Sequence, residues 1–145
     1  MFSSSHYSGS RKAQTTAYRD VGASTALDGA SPHKLVSLLY SALATQIATA
    51  RGALARRDIS EKARAISHAA RIVEEGLRMP LDLASGGAIA KNLNDLYEYM
   101  LHQLTMANLK NDDALLAECA RLAETLREGW EGIADEVHSA QKVAA

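Results

Sequence analysis

The chain is short of the residues that carry covalent or metal chemistry. Its 145 residues include one cysteine, Cys119, which excludes an internal disulfide and a multi-thiolate metal site and fits a reducing compartment. No run approaches the roughly 18 consecutive apolar residues of a membrane span. The first thirty residues lack the basic, apolar, small-residue order of a secretory signal, so a cytoplasmic protein is expected. Charge of one sign is also lacking. Lys and Arg number 16 against 17 Asp and Glu, a net −1, and this gives no counterion-release drive toward nucleic acid or anionic lipid. The distribution is less even: residues 1–78 carry +5, residues 79–111 carry −1 and residues 112–145 carry −5. The acidic last segment is therefore expected to pack beside the basic first half.

What is present is a pattern of apolar residues, 47% of the chain, enough for one domain with a real core. Residues 1–30 are polar and small, without a helical stripe, and read as a flexible arm. At Ser31-Pro32 an N-cap precedes a proline tolerated at the first helical position. Leu35, Leu39, Leu43, Ile47, Ala50 and Leu54 then recur in steps of three and four, one face of a helix over about 32–56. Asp58-Ile59-Ser60-Glu61 resembles a capping box. It opens a second helix, about 59–78, through Ile59, Ala63, Ile66, Ala70, Val73 and Leu77, which Pro80 ends.

A connection with Ser85 as a possible cap leads to a third helix, about 87–109, with Ile89, Leu93, Leu96, Met100, Leu104 and Ala107 on one face. Asn111-Asp112-Asp113 caps a fourth, about 112–137, carrying Leu115, Cys119, Leu122, Leu126, Trp130, Ile133 and Val137. Four amphipathic helices with short connections predict an all-α fold, an antiparallel up-down-up-down four-helix bundle over 31–137, with a tail at 138–145.

Catalytic patterns are missing. A di-metal bundle site needs inward Glu-x-x-His pairs, and the chain has none. Cys119 falls on a core stripe, where thiols are inert. Gly86-Gly87 lacks the context of a phosphate loop. Arg51, Arg56, Arg57, Lys62 and Arg64 cluster without interleaved aromatics and read as a solvated end, not a nucleic-acid surface. No cofactor, metal or small-molecule substrate is expected. What is left over is apolar: Tyr97, Leu101, Tyr99, Met106 and Leu109 widen the third helix beyond a single stripe. This excess either completes the core or forms an outward groove for an amphipathic segment, with Tyr7 and Tyr18 of the arm lying across it when empty. A self-associating structural bundle, with the extra face as a homodimer seam, is the alternative.

Particular strings go further. They are Ala17-Tyr18, Ala30-Ser31-Pro32-x-x-Leu35, Leu38-Leu39-Tyr40, and Ile72-Val73-Glu74-Glu75-Gly76-Leu77-Arg78 leading to Leu81-Asp82. Asn92-Leu93-x-x-Leu96-Tyr97-x-Tyr99-Met100-x-x-x-Leu104-x-x-Ala107-Asn108-x-x-Asn111-Asp112 and Trp130 follow. In order and spacing, from Tyr18 to Ile133, the chain resembles the flagellar secretion chaperones of the FliS family. The resemblance implies a cytoplasmic helical bundle that binds the disordered C-terminal segment of flagellin, blocks premature polymerisation, delivers flagellin to the flagellar type III export gate and catalyses nothing. Pattern and resemblance together put the partner-binding residues at Tyr18, Asn92, Leu93, Leu96, Tyr97, Met100, Leu101, Leu104 and Asn108. Ordering a disordered segment costs about 1 to 2 kcal/mol per residue, so a client is expected to wrap a long apolar surface with the core left closed.

Overall fold

In a computed structural model, residues 31–144 are described, with side chains as far as Ile133. The arm at 1–30, with Tyr7 and Tyr18, lies outside them. Helix α1, Pro32–Ala55, starts as its sequence dictates: Ser31 Oγ accepts from the Lys34 N–H at 3.1 Å, with proline at the first helical position. It ends at Arg56 and Arg57, the latter at φ 60°. Asp58 then caps α2, Ile59–Arg71, by accepting from the Glu61 N–H at 3.1 Å. Only half of the expected capping box forms, because the Glu61 carboxylate pairs with Arg64 one turn on.

Helix α2 continues without a break into a π-helical turn, Ile72–Arg78. In the following connection Asp82 Oδ1 accepts from the N–H groups of Ala84 (3.1 Å) and Ser85 (3.0 Å), and its Oδ2 takes the Ser85 hydroxyl. Ser85 is thus tied to Asp82 and is not the cap of the next helix. Gly86 holds that position. A Cβ there would stand 2.5 Å from the Asp82 carbonyl oxygen, so only glycine fits. Helix α3, Gly87–Lys110, closes at Asn111 in the left-handed conformation (φ 53°). Helix α4, Asp113–Ala144, runs past 137, so most of the expected tail is helix.

The four helices stand in a square, each beside its neighbours in sequence, with α4 returning to α1. Contacts between their ends show the alternation. Arg51 near the end of α1 meets Asp113 at the start of α4, while His33 at the start of α1 meets Trp130 far along α4. Lys62 early in α2 meets Asn108 late in α3. Leu39, Leu43, Ile47, Val73, Met100, Leu104, Leu116 and Cys119 fill the interior, and the whole is the expected antiparallel bundle. The Arg51–Asp113 pair is one place where the acidic last segment meets the basic first half.

Helix α2 turns its faces differently from the expected stripe. Ile59 is 48% exposed, and Lys62, Ala65 and Ala69 are buried in place of Ala63 and Ala70. Small residues on this face let α2 lie close to α1. The buried lysine is accommodated because its Nζ donates to the Asn108 carbonyl at 2.9 Å and to the Asn111 side-chain oxygen. There a cation meets the negative end of the α3 dipole.

Candidate interaction surface

Helix α3 carries most of the residues singled out from the sequence, and the bundle divides them. Tyr97 (2% exposed), Met100 and Leu104 are interior. As accessible anchors they are corrected: with the bundle closed they have no surface to offer a partner. Tyr97 is held there by more than packing. Its phenol oxygen lies 2.5 Å from that of Tyr40 on α1, and burial pushes both phenols above their ordinary pKa. Leu93, Leu96, Leu101 and Asn108 are half-buried, and Asn92 is exposed.

These residues also fall on two different edges of α3. Asn108 and Glu98 mark the α2 edge, through Lys62 and through the Arg78 Nη2 that donates to Glu98 at 2.9 Å. Leu101 lies on that side, packed against the core. The α4 edge is marked by Glu118, whose Oε1 accepts from the Tyr99 hydroxyl at 2.5 Å and the Gln103 amide at 3.0 Å. These hydrogen bonds hold the Glu118 carboxyl below its ordinary range, and the carboxylate in turn raises the Tyr99 phenol. Residues seven apart on a helix share an edge, which places Ile89 and Leu96 in line with Gln103.

The antiparallel register set by Tyr99 and Glu118 puts Leu96 level with Arg121 of α4, beside Leu122, and Ile89 level with Glu128, beside Gly129. Between the 111–112 turn and Tyr99 this seam is closed by the hydrogen-bonded trio. Beyond it the seam is apolar and open. Ile89 is 75% and Ile133 52% exposed, Leu96, Leu122 and Leu126 are part-exposed, and a Cβ at Gly129 would meet no described atom within 4 Å. The sequence reading placed Ile89 and Ile133 in the core stripes and so missed them as surface, while Leu122 and Leu126 of the same stripes do pack against the core and keep only an edge exposed. The seven-residue recurrence of Ile89 and Leu96 with the polar Gln103 was the available signal. At the far end Trp130 stacks on the His33 ring, centroids 4.4 Å apart at 9°, and its Nε1–H donates to the His33 carbonyl at 3.0 Å.

This surface offers apolar contact with a polar rim and no reactive group. Cys119 is buried, its thiol pushed up to about 12 by burial. Among the described residues no three His, Cys, Asp or Glu side chains group as a metal site, and no helix is long and apolar enough to cross a membrane. Of the basic cluster, Arg51 is paired with Asp113, Arg64 with Glu61, and Lys62 is buried.

Comparison with known proteins finds relatives that match most of the chain. Residues 14–137 match the family described as flagellar protein FliS. The flagellar secretion chaperone FliS of Salmonella typhimurium is 38% identical over 117 residues, 81% of this chain and 87% of that protein. The flagellar secretion chaperone FliSB of Pseudomonas aeruginosa is 41% identical over 116 residues, covering 80% and 91%. FliS of Vibrio cholerae is 33% identical over 123 residues, covering 85% and 90%.

Proposed function

The chain belongs to the FliS family of flagellar proteins, and from that premise we propose that it is a flagellar secretion chaperone whose client is the C-terminal segment of flagellin. It acts in the cytoplasm and by binding alone. The observation that carries this reading is the family match across residues 14–137, and the open apolar seam between α3 and α4 supports it physically. A segment whose apolar stripe would otherwise pair with another flagellin is kept from polymerising by having that stripe covered, which needs no nucleotide and no catalytic step. Leu93, Leu96, Leu101, Asn92 and Asn108 keep some surface in the closed bundle and remain candidates for contact. The complex then hands flagellin to the flagellar type III export gate.

Co-purification with full-length flagellin and with flagellin truncated at its C-terminus tests the reading. Capture of the full-length protein only is expected, and equal capture of both, or of neither, removes it. Light scattering of the chaperone alone and with the C-terminal peptide decides against the homodimer alternative if the free protein is monomeric and becomes a one-to-one complex.

A further inference from the structure

At the end of the bundle where α1 passes to α2 and α3 to α4, positive charge is left over. Both turns are closed by their own backbone. The N–H groups of Arg56, Arg57 and Asp58 return to the carbonyls of Gly52 (3.1 Å), Leu54 (3.0 Å) and Ala53 (2.8 Å), and that of Asp112 returns to Ala107 at 3.2 Å. The four acidic side chains of this end are engaged within the chain. Asp58 accepts from the Glu61 N–H and Asp112 from the Ala114 N–H, while Glu61 pairs with Arg64 and Asp113 with Arg51. The buried Lys62 is satisfied by Asn108 and Asn111. Arg56, Arg57 and Lys110 are exposed, and among the described residues none of the three has a carboxylate within ion-pair distance.

Lys110 lies in the last turn of α3, where a cation suits the negative end of the helix dipole. Arg57 has no such local reason. It stands at φ 60°, a conformation that glycine takes freely and a residue with a side chain only at a cost. Apolar surface accompanies these cations, with Ile59 48% and Leu109 74% exposed. Ile59 stands one turn before Lys62 and Leu109 follows Asn108, and the Lys62–Asn108 bond joins α2 to α3 there, so both side chains border one edge. An apolar centre with a charged rim is the make-up of a protein interface. A nucleic acid would call for planar side chains to stack on, and no exposed aromatic among the described residues lies at this end. An anionic bilayer is held by larger basic clusters.

We propose that this end is a docking surface for an acidic segment of another protein. Carboxylates of the segment take Arg56, Arg57 and Lys110, and one or two of its bulky apolar side chains cover Ile59 and Leu109. The turns are already fixed, so binding orders little of this chain. The surface lies at the opposite end of the bundle from the open part of the α3–α4 seam. It is therefore accessible with the seam filled, and it does not depend on what fills the seam.

The probe is a capped peptide, Glu-Glu-Leu-Glu-Glu-Leu-Glu-Glu, titrated into the isotope-labelled full chain at low salt and followed by amide NMR shifts. Shifts are expected at residues 56–62 and 108–112 and not at Ile89 or Leu96. Replacing the Glu of the peptide by Gln, or its Leu by Ala, should each weaken binding about tenfold. Arg57→Gly, which suits the left-handed turn, is expected to leave the fold at least as stable and yet weaken the peptide about fivefold. A purely structural role for Arg57 would not separate the two readouts. Equal binding by the Gln peptide, by phosphatidylglycerol vesicles or by an oligonucleotide of the same charge overturns the proposal. So do unchanged binding by Arg57→Gly and shifts centred on the seam. Concentration-dependent shifts of the same residues without peptide also overturn it, since the occupant would then be a second copy of this chain.

Discussion

The phenol oxygens of Tyr40 and Tyr97 lie 2.5 Å apart, joining α1 and α3 across the diagonal of a bundle whose other packing runs between neighbours. Both rings are buried, so each hydroxyl takes as partner the other in place of water. The pair fixes the height of α1 against α3 and turns Tyr97 inward, which leaves the outer edges of α3 to Leu96 and Leu101.

Removing one hydroxyl leaves the other buried and unpartnered. Tyr97→Phe is expected to cost about 1 to 3 kcal/mol, and Tyr97→Ala about 3 to 5 kcal/mol through the cavity as well. The double variant Tyr40→Phe, Tyr97→Phe should lose less than the two single changes summed. Urea unfolding of the four proteins measures this, and additivity would show that the hydroxyls do not depend on each other.

Seam and interior residues should separate in a paired assay of binding and stability. Ile89→Ala and Leu96→Ala are expected to weaken capture of the flagellin C-terminal segment by about 1 to 3 kcal/mol with little change in melting temperature. Tyr97→Ala should lose both together. Titration calorimetry beside thermal unfolding checks it, and intact binding in the seam variants would move the client to another face.

Gly129 sits in α4 with open space around it. Gly129→Ala is therefore expected to stabilise the fold by about 0.5 to 1 kcal/mol, the usual gain in a helix interior. Gly129→Trp, which sets a large side chain in that open space, should leave folding intact and block the client. Denaturant midpoints and the same capture assay read the two effects.

Charge linkage sets a pH window. The carboxyls of Asp82, Asp113, Glu61 and Glu124 are held below their ordinary range, Asp82 by the Ser85 hydroxyl and the others by Arg51, Arg64 and Arg127. Groups lowered on folding contribute stability above their unfolded values near about 4 and lose it as pH falls through the folded ones. Cys119, Tyr40 and Tyr97 are raised by burial, so their contribution is whole below the unfolded values, about 8.5 and 10, and drains away as pH rises toward the folded ones. Thermal unfolding from pH 3 to 11 should show a plateau between these limits. Cys119→Ala should delay the alkaline decline, and an unchanged alkaline limb would show that the thiol does not contribute.

Helix number, order and most boundaries were legible because they depend on neighbours in sequence. Ser31-Pro32, Asp58 and Asn111 act within a turn of themselves, and a step of three or four marks an apolar face wherever the helix is placed. The resemblance to FliS was legible for the same reason, being carried by residue types at fixed spacing. The π turn was not, since Ile72–Arg78 keeps a spacing that suits an α-helix equally well and differs only in which carbonyl receives each N–H.

Which apolar residue is core and which is surface was decided by the packed bundle. Periodicity ranks residues by angle around one helix, while burial depends on how near the next helix comes at that level. Tyr97, set aside as surplus, goes inside because Tyr40 on another helix meets its hydroxyl. Ile89, placed on the expected core face, stays 75% exposed because no neighbouring helix comes near enough to cover it at that level. Lys62 is buried, against its type, because the end of α3 supplies two oxygens that local sequence could not reveal.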